Sequence, residues 1–267
     1  MKNLVILAAG ENSLHRNWAF GGNFDVFLIY YGNRSGRYRN DVKYYKEQKG
    51  PKYKLIYDLI EDNKEFLDNY DNFFLPDDDL YYTTKDLNLF FSIFSNYNLS
   101  LAQPSITGYY SVPLVLNCSN CLLRYVNWVE IMCPCFSKAC LQLCKHTFAM
   151  NNTAWGIEYV WNHLLGSPED KIAIIDKVAF THVRPCFSGD NYYLNNFYYE
   201  TCLQELLDIQ ASLGDCKFKT YKMIGCSNEK ILIPDLPKTK FFTEKIYPND
   251  IDFIRRIDSF KNKILFA

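Results

Sequence analysis

Three adjacent carboxylates, Asp77, Asp78 and Asp79, follow the apolar run Phe73-Phe74-Leu75-Pro76 and are closed by Leu80. Like charges this close repel, so a fold either leaves them in water or neutralises them with a cation. A bare acidic turn is most often solvated, yet the flanking apolar residues draw this one towards the interior. Hard carboxylate oxygens suit Mg²⁺ or Mn²⁺, ions that commonly bridge the phosphates of a bound nucleotide. Lys52 and Lys54 could face such a diphosphate, although exposed lysines are usually solvated. Glu158 opens a helical pattern and is either a cap at a helix N-terminus or an acid–base group, and Glu130 is a second carboxylate of that kind. Trp128 and Trp155 offer faces on which sugar rings could stack, although single tryptophans more often fill a core.

The cysteines give a weaker signal. Cys118-x-x-Cys121, Cys133-x-Cys135 and Cys140-x-x-x-Cys144 could be gathered about zinc, but polar knuckle loops are missing and the positions are apolar. The short run Leu4 to Ala9, followed by Glu11, falls short of a signal sequence and reads as a buried strand. Ten reduced thiols are therefore expected, without disulfides and without zinc.

The elements that must carry these groups follow from hydrophobic patterning. Leu4–Leu7, Asp25–Tyr31, Tyr53–Tyr57 and Asn72–Pro76 read as strands, the last delivering the triplet to its C-terminal end. Thr83 and Asp86 resemble a capping box for a helix bearing Leu87, Phe90, Phe91 and Phe94. Further strands are expected at Leu99–Ser105, Val129–Phe136 and Lys171–Ile175, and helices at Ser137–Phe148, Ile157–Leu165 and Glu200–Leu213, the last stopped by Gly214. Strands alternating with helices predict an α/β sheet whose ligands bind beyond the carboxyl ends of the strands. Lys plus Arg (29) nearly cancels Asp plus Glu (30), which argues against a nucleic-acid partner. No apolar stretch has the length of a membrane span.

At the motif level the chain resembles a known family. Phe73-Phe74-Leu75-Pro76-Asp77-Asp78-Asp79-Leu80 is similar to the DxD segment of GT-A glycosyltransferases. More narrowly, four blocks resemble the plant and bacterial family catalogued as domain of unknown function 707: Val26-Phe27-Leu28-Ile29-Tyr30-Tyr31-Gly32, the acidic segment with Gln103-Pro104-Ser105, Trp128-Val129-Glu130-Ile131-Met132, and Trp155-Gly156-Ile157-Glu158. With Ile174-Ile175-Asp176 and His182 they span roughly residues 1 to 190. The resemblance implies a GT-A-like fold, a mixed and mainly parallel sheet flanked by helices. It implies that Asp77 and Asp79 hold Mn²⁺ or Mg²⁺ on the diphosphate of a sugar nucleotide, with His182 as third ligand. It places the nucleotide near the first strand turn, at Ala9, Gly10 and Asn12, with Asp77, Asp78 and Lys52. It makes Glu158 the general base towards an acceptor hydroxyl, in a position where plant relatives carry aspartate, and puts Trp128, Glu130 and Trp155 on the acceptor side.

The resulting expectation is a metal-dependent glycosyltransferase, with a weak lean to inversion, moving a sugar from a nucleotide-diphosphate donor to a glycan or lipid-linked glycan. Residues 1–215 form the catalytic domain and 216–267 an appendage packing on it. A cytoplasmic enzyme of bacterial surface polysaccharide synthesis fits the missing anchor. Phe253, Ile254 and Ile257 alternating with Arg255, Arg256 and Lys261 could touch the inner membrane face, although a solvated or dimer-forming helix fits that pattern better. The rivals are a nucleotidyltransferase and a non-catalytic glycan-binding protein with a structural cation.

Overall fold

Successive side chains of the first strand enter two different cores. Val5, Leu7 and Ala9 pack on one face of a sheet and Leu4, Ile6 and Ala8 on the other, all almost fully buried. A strand buried on both faces reads as the unbroken apolar run seen here, because neither face of the pleat meets water. The computed structural model describes residues 1–214 and 216–226. In chain order its elements are β1 (Asn3–Ala9), β2 (Phe24–Tyr30), β3 (Tyr44–Glu47), α1 (Lys52–Asp62), α2 (Lys64–Leu67), β4 (Asn72–Phe74), β5 (Leu80–Tyr81), α3 (Thr84–Asn96), β6 (Leu101–Gly108), β7 (Leu123–Val126), β8 (Cys135–Ser137), α4 (Lys138–Cys144), α5 (Ile157–Leu164), β9 (Ile172–His182), α6 (Asp190–Leu194), α7 (Tyr199–Leu213) and β10 (Thr220–Ile224).

The strands form one sheet in the order β10-β7-β9-β6-β8-β4-β1-β2-β3, with β5 paired to β9. Its longest ladders, β1–β2 and β6–β9, are parallel, while the short β8 is antiparallel to both β4 and β6. Helix α3 covers one face through Leu87, Phe90, Phe91 and Phe94. Helices α1, α4, α5 and α7 cover the other through residues such as Ile56, Leu141, Trp161 and Ile209. Each fully buried apolar side chain contributes about 1.5–3 kcal/mol, so the two layers account for the pairing of the strands. The Thr83–Asp86 capping box is present at the start of α3, with Asp86 N–H donating to Thr83 Oγ1 at 3.2 Å and Thr83 N–H donating to Asp86 Oδ2 at 2.9 Å. Among the described residues no helix is long and apolar enough to cross a membrane.

Four expectations are corrected. Tyr53–Tyr57 is not a strand but lies within α1, whose buried Tyr53, Ile56 and Ile60, with Leu55 and Leu59, recur at helical spacing after Pro51. A five-residue apolar run does not distinguish strand from helix, whereas the longer window does. Val129–Phe136 is not one strand: a loop at 127–134 separates β7 from β8. The strand expected at Lys171–Ile175 continues to His182, because three residues bulge out between Ile175 and Ala179 opposite Pro104, which offers no N–H to the ladder. Finally, Cys121 and Cys226 form a disulfide where ten reduced thiols are expected. Strand β10 folds back along β7 and brings Cys226 to Cys121 across 105 residues, a long-range pairing that no local spacing announces. The amphipathic stretch at Asp250–Leu265, and most of the appendage expected from residue 216, lie outside the described residues.

Candidate active site

The edge that collects chemistry is the carboxyl end of β1, β4 and β9. Strands β1 and β4 are parallel neighbours, so Gly10 and the acidic triplet emerge side by side. Gly10 N–H donates to Asp78 Oδ2 at 2.7 Å. A Cβ there would stand 2.7 Å from Asp190 Oδ2 and 2.9 Å from the Tyr31 hydroxyl and would displace the ends of those two side chains. The short β5, paired to β9 with Leu80 opposite His182, then turns the chain back and sets Asp79 beside that histidine. His182 Nε2 lies 3.4 Å from Asp79 Oδ2, and His182 Nδ1 lies 3.0 Å from the Tyr109 carbonyl. A carbonyl only accepts, so Nδ1 carries a hydrogen, and Nε2 donates to Asp79 when the ring is protonated and offers its lone pair on that side when it is not.

Each carboxylate of the triplet has a cation. Arg184 Nη2 donates to Asp78 Oδ1 at 2.9 Å, and Arg184 Nε lies 3.3 Å from Asp79 Oδ2. Lys52 Nζ donates to Asp77 Oδ1 at 2.7 Å and to the Ile131 and Met132 carbonyls at 2.9 and 3.0 Å. Burial and the mutual repulsion of the triplet raise Asp77 and Asp78, opposed by Lys52 and Arg184 respectively. Burial would raise Asp79 as well, but the His182 hydrogen bond and charge and Arg184 outweigh it and hold that carboxyl below its ordinary range. Burial works against charge on His182, yet Asp79 and the other nearby carboxylates raise it overall.

A second pair of carboxylates is buried as well. Glu130, in the loop between β7 and β8, is buried, and its N–H donates to the buried Gln103 Oε1 at 2.5 Å. Glu158 is the second residue of α5 and is equally buried. The preceding Gly156 has φ +94°, and a Cβ there would stand 3.0 Å from Leu206 Cα of α7, so glycine is needed both for the turn and for the packing. Oε2 of each glutamate is buried without a hydrogen-bond partner. Burial pushes Glu130 up to about 6, where a Ser111 hydrogen bond and the charges of His182 and Lys52 restrain it. Burial, with the charge of Glu130 adding to it, pushes Glu158 up to about 8. The Tyr53 phenol donates to the Ile131 carbonyl at 2.8 Å and lies within electrostatic reach of Asp77, Glu130 and Glu158, linking the two groups of acids.

The structure brings Asp77, Asp78, Asp79, His182, Glu130 and Gly10 into this one region. Ala9 is fully buried in the ladder and contributes backbone alone, accepting from Tyr31 N–H at 3.0 Å, and Asn12 is exposed beside it. Two assignments change. Lys52 is 7% exposed and its ammonium is spent on Asp77 and two carbonyls, so it ties the triplet to the Glu130 loop and does not stand free for a diphosphate. Trp128 is 4% exposed, covered by Phe218 at 5.0 Å and Tyr159 at 5.8 Å, and is a core ring here and not an open sugar platform. Trp155 is half-buried against Phe187 and Tyr199, while Tyr193 and Tyr198 of the same segment are exposed. Arg184 and Asp190 were not foreseen. Asp190 Oδ2 accepts from Glu11 N–H at 2.9 Å, closing the segment after β9 over the first strand turn. A basic residue two positions beyond His182 was the available signal for Arg184.

Among the described residues no three His, Cys, Asp or Glu side chains are grouped to hold a metal ion. Two donors do fit one: Asp79 Oδ1 is buried without a hydrogen-bond partner, and the Nε2 side of His182 faces the same carboxylate. Mg²⁺ and Mn²⁺ are commonly held by one or two protein groups, with substrate phosphates and water completing the shell.

No protein-family model and no curated protein sequence matches the chain. Solved structures do. The 1–349 fragment of S. aureus TarS superposes with a TM-score of 0.51 at 11% identity, covering 80% of this chain and 73% of that one. The same fragment in complex with UDP-GlcNAc gives 0.49 at 12% identity over 80% and 73%. A Desulfovibrio desulfuricans protein named for nucleotide-diphospho-sugar transfer gives 0.44 at 10% identity, over 76% of this chain and 97% of that one. The likeness to the TarS fragment at 0.51 shows the fold: a mixed, mainly parallel sheet flanked by helices.

Proposed function

We propose that this protein is a glycosyltransferase that takes a sugar from a nucleoside-diphosphate donor and passes it to a glycan hydroxyl, with Mn²⁺ or Mg²⁺ at Asp79 and His182. The observation that supports it most is the junction of three strand ends, where the triplet meets His182 and Arg184 and one buried oxygen of Asp79 has no partner. Asp79 and His182 would hold the ion, whose positive charge would stabilise the leaving diphosphate. Arg184, now paired to Asp78 and Asp79, is the side chain placed to turn towards that same diphosphate. Asp78 fixes the Gly10 turn at which a nucleoside lies against backbone, and Asp77 with Lys52 holds the floor between donor and acceptor sides.

The chemistry needs one base. The acceptor O–H loses its proton as its oxygen attacks the anomeric carbon, and the bond from that carbon to the diphosphate breaks with its electron pair on the leaving oxygen. Glu158 is assigned the proton; its burial, with the charge of Glu130 adding to it, makes a protonated Glu158 the resting state near neutrality. A base whose ordinary range is shifted towards the working pH is the more effective one. The exposed rings of Tyr193 and Tyr198, in the chain segment whose Phe187 and Tyr199 pack on Trp155, support a carbohydrate acceptor. The growing glycan of a bacterial surface polymer is the acceptor this reading adopts.

Incubation with uridine diphosphate sugars, Mn²⁺ and oligosaccharide acceptors tests it. Release of nucleoside diphosphate with glycosylated acceptor is expected. Release of pyrophosphate instead identifies nucleotidyl transfer, and neither release nor nucleotide affinity identifies a binding protein.

A further inference from the structure

Outside this site the structure gathers three sulfur atoms at the far edge of the sheet. Cys121 and Cys226 form a disulfide, and the Cys118 thiol stands 3.3 Å from Cys121 Sγ. Cys118 and Cys121 are the ends of a four-residue turn closed by Cys121 N–H donating to the Cys118 carbonyl at 2.9 Å. Such a turn holds its terminal Cα atoms within about 7 Å, and disulfides span about 4.4–6.8 Å, so the turn accommodates a bond between its own ends. Cys121 is 3% exposed and Cys118 partly exposed, so Cys118 is the sulfur that solvent reaches first.

We propose that Cys118, Cys121 and Cys226 form a thiol–disulfide exchange site that moves one disulfide between Cys121–Cys226 and Cys118–Cys121. Cys118 gives up its proton, and the thiolate bonds to Cys121 Sγ as the Cys121–Cys226 bond breaks. The electron pair leaves on Cys226 Sγ, which takes up a proton, so no external oxidant or reductant is consumed. What changes is the covalent tie of β10 to the chain before β7. That tie is reinforced by Leu122 N–H donating to the Ile224 carbonyl at 2.8 Å and by the turn at Gly225 with φ +66°. The same segment carries Phe218 onto Trp128 and Tyr159, next to Glu158 in sequence, so its release loosens the cover of the acceptor side. The charged groups facing Cys118 are Asp176, whose Oδ1 accepts from Cys118 N–H at 2.9 Å, and Arg124, paired to Asp176 at 2.8 Å. Burial and Asp176 raise the thiol and Arg124 opposes them, so exchange speeds up as pH rises.

The test is disulfide mapping of the native chain, incubated without reductant at pH 7 and pH 9, quenched in acid and digested with pepsin at low pH. Both linkages are expected, with the Cys118–Cys121 share and free Cys226 larger at pH 9. The Cys118→Ser variant should retain Cys121–Cys226 alone, and hydrogen exchange over residues 217–224 should be faster in wild type than in that variant. A wild-type map holding only Cys121–Cys226 at both pH values overturns the proposal, whether or not the variant folds. Equal release of Cys226 from Cys118→Ser overturns it as well.

Discussion

The acids at the ends of β4 and those of the 127–134 loop and α5 are treated in opposite ways. Asp77, Asp78 and Asp79 each sit against Lys52 or Arg184, and Asp79 also against His182. Neither Glu130 nor Glu158 forms an ion pair among the described residues, and each keeps one buried oxygen without a hydrogen bond. The paired cations oppose the upward shift that burial gives Asp77 and Asp78 and help hold Asp79 below its ordinary range, which suits gripping a cation at Asp79 or releasing Arg184 to phosphate oxygens. Unmatched burial raises carboxyls towards neutrality, which suits holding and moving a proton. The fold thus sets cation-paired acids and acids without an ion pair on either side of the Lys52–Asp77 link.

Substitutions should break the two sides independently. Glu158→Gln is expected to lower turnover by about 10² to 10⁴ while leaving nucleotide affinity at the wild-type value, since it removes the basic oxygen and keeps the shape. Steady-state kinetics beside a nucleotide titration checks this, and joint loss of both would mean that the sides are one unit. Arg184→Ala should weaken nucleoside diphosphate binding by roughly ten- to a hundredfold, the value of about 1.5–3 kcal/mol for a hydrogen bond to a charged group. It should not move the pH at which the rate rises.

That pH sharpens the comparison further. A base must lose its proton first, so with Glu158 as base the rate climbs up to about tenfold per unit as pH rises towards about 8 and then levels. A profile already level above about 6 would transfer the role to Glu130. A raised folded-state value also means that ionisation opposes folding. Wild type therefore loses stability as pH rises from the ordinary glutamate range through about 8, and Glu158→Gln escapes that loss. Melting temperatures of the two should agree at pH 5 and diverge at pH 9, the variant being higher. The smallest effect belongs to neither side: Thr83→Ala removes the cap of α3, costs about 1 kcal/mol in thermal unfolding and leaves both functions intact.

Much of this was legible in the sequence because it is local. The strand-then-acid order at 72–79, the capping box at Thr83 and the amphipathic helix ending at Gly214 each depend on neighbours within a few residues. What escaped is long-range. Asp79 meets His182 through the two-residue β5, Arg184 reaches back to Asp78 over 106 residues, and Cys226 joins Cys121 through β10. Lys52 is the instructive miss. A lysine beside a supposed strand reads as a free cation, whereas at the start of a helix tucked under the triplet it becomes an internal tie. Trp128 misled similarly, since its exposure depends on Phe218, ninety residues downstream in a segment with little pattern of its own.

The central claim is that the β4 and β9 ends bind a nucleoside diphosphate with a divalent ion, and calorimetric titration of the full chain tests it most directly. A panel of nucleoside diphosphates is titrated into wild type and Asp79→Asn, with and without Mn²⁺. The account predicts saturable binding to wild type that Mn²⁺ strengthens, and loss of the Mn²⁺ increment in Asp79→Asn with the fold preserved. Wild type that binds no nucleotide, or Asp79→Asn with an undiminished Mn²⁺ increment, would contradict it.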